Sequence, residues 1–185
     1  LRDVPQAVNV VPEQLLRDQG ARSMEDALRN VPGVAMSHGD GQRDQVFIRG
    51  FNSLGDQFID GIRDDAMYYR DMSNVEQIEV VKGPASVLYG RGSSGGMINR
   101  ITKKPGVDKN EASLQVGSWN QRRGEFDIGR SAGEGNVSFR MTGAVERSDS
   151  FRDQQFLDRE AFAPSMSIKI DADTNLLLQA EYLHD

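Results

Sequence analysis

From residue 111 onward, apolar and polar side chains alternate at almost every position, and this pattern confines that part of the chain to extended strands with two unlike faces. Five segments show it. Ala112, Leu114 and Val116 stand against Ser113, Gln115 and Gly117, and Gly124, Phe126 and Ile128 stand against Glu125, Asp127 and Gly129. Val137, Phe139, Met141, Gly143 and Val145 oppose Ser138, Arg140, Thr142, Ala144 and Glu146. Phe162, Met166, Ile168 and Ile170 oppose Ser165, Ser167 and Lys169, and Leu176, Leu178, Ala180 and Tyr182 oppose Gln179 and Glu181.

The connections differ in length. Residues 119–122 make a tight turn, 132–136 and 171–175 short ones, and 148–160 a longer charged loop. Short turns mixed with longer loops suit strands of a transmembrane barrel, with Phe139 and Met141 toward lipid and Arg140 toward the lumen. An antiparallel sheet with one wet and one buried face produces the same alternation, so the pattern alone leaves both open.

The chain before residue 111 reads differently. Its organising stretch is VEQIEVVKGPASVLYGRGSSGGMINRITKKP, residues 75–105. Ile78, Val80 and Val81 form an apolar strand that Gly83-Pro84 ends, because proline has no N–H for a ladder. Residues 85–89 read as one helical turn closed by Gly90. Gly92, Gly95 and Gly96 then permit a sharp reversal into a second strand containing Met97, Ile98 and Ile101. This is no phosphate loop: Gly-Lys-Ser/Thr is absent, and a strand follows the glycines rather than a helix.

Further upstream, residues 4–11 read as extended, and residues 12–19 as a short helix terminated by Gly20. Ser23 predicts the cap of a second helix, with Glu25 and Asp26 at its positive end and Met24, Ala27 and Leu28 on its apolar face. Residues 34–36, 45–51 and 57–62 read as strands, and Asp60-Gly61 is a hairpin-turn signal. Residues 37–44 and 64–71 read as loops, the second rich in acid, tyrosine and arginine.

Composition narrows the function classes. The 185 residues carry a net charge of −6, which argues against nonspecific nucleic-acid binding, and contain no cysteine, which excludes disulfides and thiolate metal sites. His38 and His184 have no ligand partner at helical spacing, and no nucleophile-elbow serine is present, so neither a metal site nor an active site is expected. No signal peptide is visible, and Leu1 reads as the start of a mature-like segment.

KGPASVLYGRGSSGGMINRITKKP resembles the closing segment of the plug domain of TonB-dependent outer-membrane receptors. FIRGF at 47–51 and DALRNVPGV at 26–34 resemble two further plug segments in the same order. The resemblance implies an α+β plug domain over 1–110, followed over 111–185 by antiparallel β strands of an incomplete transmembrane β-barrel. Five strands cannot close a barrel, so the expectation is the N-terminal portion of a longer, non-enzymatic receptor.

The same resemblance implies uptake of ferric siderophores across the bacterial outer membrane. The ferric siderophore is the transported ligand, no resident cofactor is implied, and outer-membrane lipid surrounds the barrel. The TonB complex supplies energy through an N-terminal box that is not visible here. Outward plug loops at 37–44, 52–57 and 65–70 would place Gln42, Arg43, Asp56, Tyr68, Tyr69 and Arg70 toward the ligand. Arg49 and Lys82 match basic positions that seat the plug against barrel glutamates, although lysine stands at 82 where arginine is commoner. A receptor for cobalamin or a glycan, and a soluble docking module of the cell envelope, are the alternatives.

Overall fold

A computed structural model describes residues 7–37, 43–83, 95–133 and 136–185. The helical turn expected over 85–89 and the reversal at Gly92 lie outside the described residues. The chain divides into two units, Leu1–Thr102 and Lys103–Asp185.

In the first unit, β1 (Ala7–Pro12) leads into α1 (Glu13–Asp18) and α2 (Met24–Leu28). Gly20, at φ +60, ends the first helix as its sequence predicts. Ser23 caps α2 by accepting the Asp26 N–H at 3.2 Å, and Asp26 reaches back to the Ser23 N–H. That reciprocal pair is a capping box with aspartate in the usual glutamate position. Ser23→Ala is expected to cost about 1 kcal/mol, read as a shift in the denaturant midpoint of the folded protein.

β2 (Val34–Ser37), β3 (Gln45–Ile48) and β4 (Phe51–Asn52) form a three-stranded sheet. The single strand expected over 45–51 is therefore a hairpin. Arg49 (φ +53) and Gly50 (φ +84) are its two-residue turn, although arginine is not a usual residue at positive φ. The bond from the Arg49 N–H to the Gly33 carbonyl, 2.8 Å long, holds that turn from outside the hairpin. Asp60-Gly61, at φ +50 and +82, makes the expected turn between β5 (Gln57–Ile59) and β6 (Ile62–Arg63).

The larger sheet has the order β1, β7 (Val75–Lys82), β8 (Gly96–Thr102), β5, β6. β8 is antiparallel to β7 and parallel to β5. At its start, a Cβ on Gly96 (φ +137) would lie 2.1 Å from the Val81 carbonyl oxygen, so this close approach requires glycine. Met24, Leu28, Val46, Ile48, Ile78, Val80 and Ile98 fill the core between helices and sheets. Each such side chain contributes about 1.5–3 kcal/mol on burial.

The second unit is a sheet in the order β13 (Asn175–Gln179), β12 (Phe156–Lys169), β11 (Val137–Asp149), β10 (Arg122–Ala132), β9 (Lys109–Val116), with β14 (Tyr182–His184) also on β12. The alternation is borne out, with two differences. β11 and β12 continue pairing to Asp149↔Phe156, so the long loop shrinks to residues 150–155. Charges there belong to cross-strand pairs such as Arg147–Asp158 at 3.2 Å, and backbone pairing tolerates them at an exposed strand end. The fifth strand breaks between β13 and β14, where the Ala180 N–H bonds the Pro164 carbonyl.

Candidate functional site

The faces of the second unit are inverted relative to a water-soluble sheet. Arg123, Asp127, Ser138, Arg140, Thr142 and Glu146 are buried, whereas Leu114 is 90% exposed, Val145 52% and Leu178 48%. Cross-strand register explains the sorting: Asp127 pairs with Thr142, and Phe126 with Gly143, on opposite faces. Gly143 lets the apolar face close, because a Cβ there would sit 2.6 Å from the Phe126 ring. Phe126 and Phe162 face each other with centroids 6.4 Å apart.

The buried charges are paired. Asp127 takes both prongs of the Arg140 guanidinium, at 2.9 and 2.8 Å, with the ammonium groups of Lys103 at 3.2 Å and Lys109 at 3.4 Å beside it. Arg140 Nη1 also donates to the Lys104 carbonyl, and Asp108 accepts the Ser131 N–H. The segment entering β9 is thus tied to the wall of its own unit. Farther along the same face, Arg123 and Glu146 pair at 2.9 Å, both buried.

In the first unit, residues 64–70 wrap around one arginine. Arg70 Nε donates to Asp64 Oδ2 at 3.1 Å. Its two terminal nitrogens donate to the carbonyls of Asp64, Ala66 and Tyr68. Its backbone N–H donates to Asp44 Oδ2 at 2.8 Å, and its guanidinium lies 4.3 Å above the Tyr68 ring. Arg100, on β8, reaches the same Asp64 oxygen and donates to the Tyr68 hydroxyl at 3.0 Å; that hydroxyl in turn donates to Asp64 at 2.8 Å. Burial pushes the Tyr68 phenol above its ordinary 10.0, against the opposing charges of Arg100 and Arg70.

Two of the six residues expected to face ligand are interior. Arg70 is 1% exposed, because every side-chain nitrogen is bonded within its own loop. Asp56 is 7% exposed, with Arg63 at 3.5 Å, and its carbonyl accepts the Ile98 N–H. Tyr68 is half-buried in the Arg70 cluster. Arg43 and Tyr69 are half-buried, and Arg43 Nη1 lies 2.9 Å from Met67 Sδ, so their two loops meet. Gln42 lies outside the described residues. Asp64 and Arg100 escaped the sequence reading, because nothing local links a loop acid to a strand arginine 36 positions away.

Arg49 and Lys82 come together elsewhere. Arg49 is exposed on its turn, and a Cβ added to Gly83 would lie 3.6 Å from Arg49 Nη1, placing the guanidinium beside the end of β7. Lys82 is buried, and burial first, then the Arg49 charge, hold its ammonium below the ordinary 10.5. Among the described residues, no group of three or more acids and histidines could hold a metal ion.

Comparison with known proteins follows the same division. Residues 1–97 of the 185 match the family described as TonB-dependent Receptor Plug Domain. The chain is 41% identical over 184 residues to a probable TonB-dependent receptor, BfrD, of Bordetella pertussis, covering 96% of this chain and 25% of that protein. It is 37% identical to the catecholate siderophore receptor Fiu of Escherichia coli K12, covering 98% of this chain and 24% of that protein. The crystal structure of the ferric-catecholate import receptor Fiu in its open form superimposes with a TM-score of 0.88 at 35% identity, over 98% of this chain and 27% of that one. The chain thus spans about a quarter of the length of these relatives. With just over half of its length matching the plug, the chain belongs to the TonB-dependent receptor plug-domain family.

Proposed function

We propose that this chain supplies the plug and the first wall strands of a bacterial outer-membrane receptor that takes up ferric siderophores, driven by the TonB complex. The observation that carries the membrane reading is the inverted sheet. Its charged face is buried and internally paired while its apolar face is exposed, the arrangement lipid requires and water disfavours. Similarity to a receptor named for catecholate siderophores supports the cargo class. In this reading the plug lies within residues 1–110, the wall strands begin with β9, and outer-membrane lipid covers Leu114, Phe126, Phe139 and Phe162.

Within this reading Arg43 and Tyr69, with Gln42, contact the ligand. Arg49 and Lys82 seat the plug: two adjacent cations, one buried, favour carboxylates from elsewhere in the receptor. Equilibrium binding of an iron(III) tris-catecholate to the receptor containing this chain tests the cargo. A partly desolvated arginine bonded to an anion is worth about 1.5–3 kcal/mol. Arg43→Ala is therefore expected to weaken binding roughly ten- to a hundredfold, with Tyr69→Ala acting in the same direction. Unchanged affinity in both variants would remove these plug loops from the ligand site. Uptake of cobalamin or a glycan in place of the iron complex would overturn the cargo.

A further inference from the structure

We propose that Arg70 and Arg100 form a two-arginine clamp on Asp64 that holds residues 64–70 in one shape and so sets where Tyr69 and Met67 stand. They are positioning residues, and the inference rests on the reading of this plug as a ligand-binding unit.

Three observations carry it. First, the loop encloses its own cation: Arg70 satisfies three carbonyls of that loop and the Asp64 carboxylate at once. A planar fork of donors does this, and a lysine ammonium with three donors on one atom does not. Second, the loop is tied to a rigid support. Arg100 projects from β8, which has β7 on one side and β5 on the other, and bonds both Asp64 and Tyr68. Third, the cluster is electrically balanced. Asp44 and Asp64 stand opposite Arg70 and Arg100, with Arg70 at 3.8 Å from Asp44 and 3.1 Å from Asp64. It therefore has no surplus charge to offer an anion, and its part is to hold the loop whose Met67 meets the Arg43 guanidinium.

The two roles separate in a charge-conserving substitution. An arginine that attracts an anion by charge tolerates lysine; an arginine that shapes a loop through its fork does not. The test uses Arg70→Lys, Arg100→Lys and Tyr69→Ala in the receptor containing this chain. Amide exchange without ligand is read at Asp44, Asp64 and Arg70, whose N–H groups are bonded to Tyr68, Gln57 and Asp44. Both lysine variants are expected to speed exchange at these amides by about tenfold or more, leaving β7 and β8 unchanged. The same variants are expected to weaken binding of an iron(III) tris-catecholate by about tenfold with the charge retained. Tyr69→Ala is expected to weaken binding without altering exchange. Unchanged exchange in both lysine variants would overturn the clamp, as would faster exchange with unaltered affinity. Should the unmodified receptor bind no iron complex, the cargo reading fails by itself, and exchange alone decides the clamp.

Discussion

Asp127→Ala is expected to destabilise the receptor by about 3–5 kcal/mol, the range for removing one partner of a buried charge pair. Asp127 is 4% exposed and is shared by Arg140, Lys103 and Lys109. Its loss leaves three neighbouring cations on one face without their common acid. Arg140 also holds the Lys104 carbonyl, so the segment leading into β9 loosens at the same time. Asp127→Asn keeps the shape and two acceptor lone pairs but not the charge, and its cost should be smaller. Denaturant unfolding of the receptor in lipid vesicles measures both. Equal costs for alanine and asparagine would show that the lost charge alone makes Asp127 matter, whereas a near-neutral asparagine would show that shape and hydrogen bonding do.

Phe139→Arg is expected to cost about 2–4 kcal/mol if the residue lies near the bilayer midplane, because a charge on the lipid face has no partner there. Alternation alone suggests that the adjacent Arg140→Ser should be far milder. The structure reverses that expectation. Arg140 is 3% exposed and bidentate on Asp127, so the serine variant leaves a buried carboxylate with only its two lysines. Its cost should approach that of Phe139→Arg while arising from a different cause. Raising the salt concentration does not repair the missing buried pair, since buried pairs are weakly screened. Transfer from lipid to detergent, by contrast, should change the Phe139→Arg penalty more than the Arg140→Ser penalty. Identical responses of the two variants would contradict the assignment of faces.

The sequence by itself determined whatever depends on neighbours a few residues apart. Alternation sorted Phe139 from Arg140 because side chains in a strand point to opposite faces at every step. Ser23 marked the start of α2, and Asp60-Gly61 marked a turn, because caps and tight turns are local chemistry. Three short segments at the right spacing pointed to the family. Tertiary structure alone decided which polar residues are interior. Arg70 reads as an exposed loop arginine until Asp44, Asp64 and Arg100 are brought around it from 26, 6 and 30 positions away. Arg49 reads as a strand residue until the Gly33 carbonyl holds it at positive φ. Lys103 follows β8 with nothing nearby in sequence to pair it until Asp127 folds back over it. Arg49 and Lys103 are decided by partners distant in sequence, and Arg70 by a loop that closes on it only when Asp44 and Arg100 are brought in; a charged side chain carries no local mark of whether water or another charge will satisfy it.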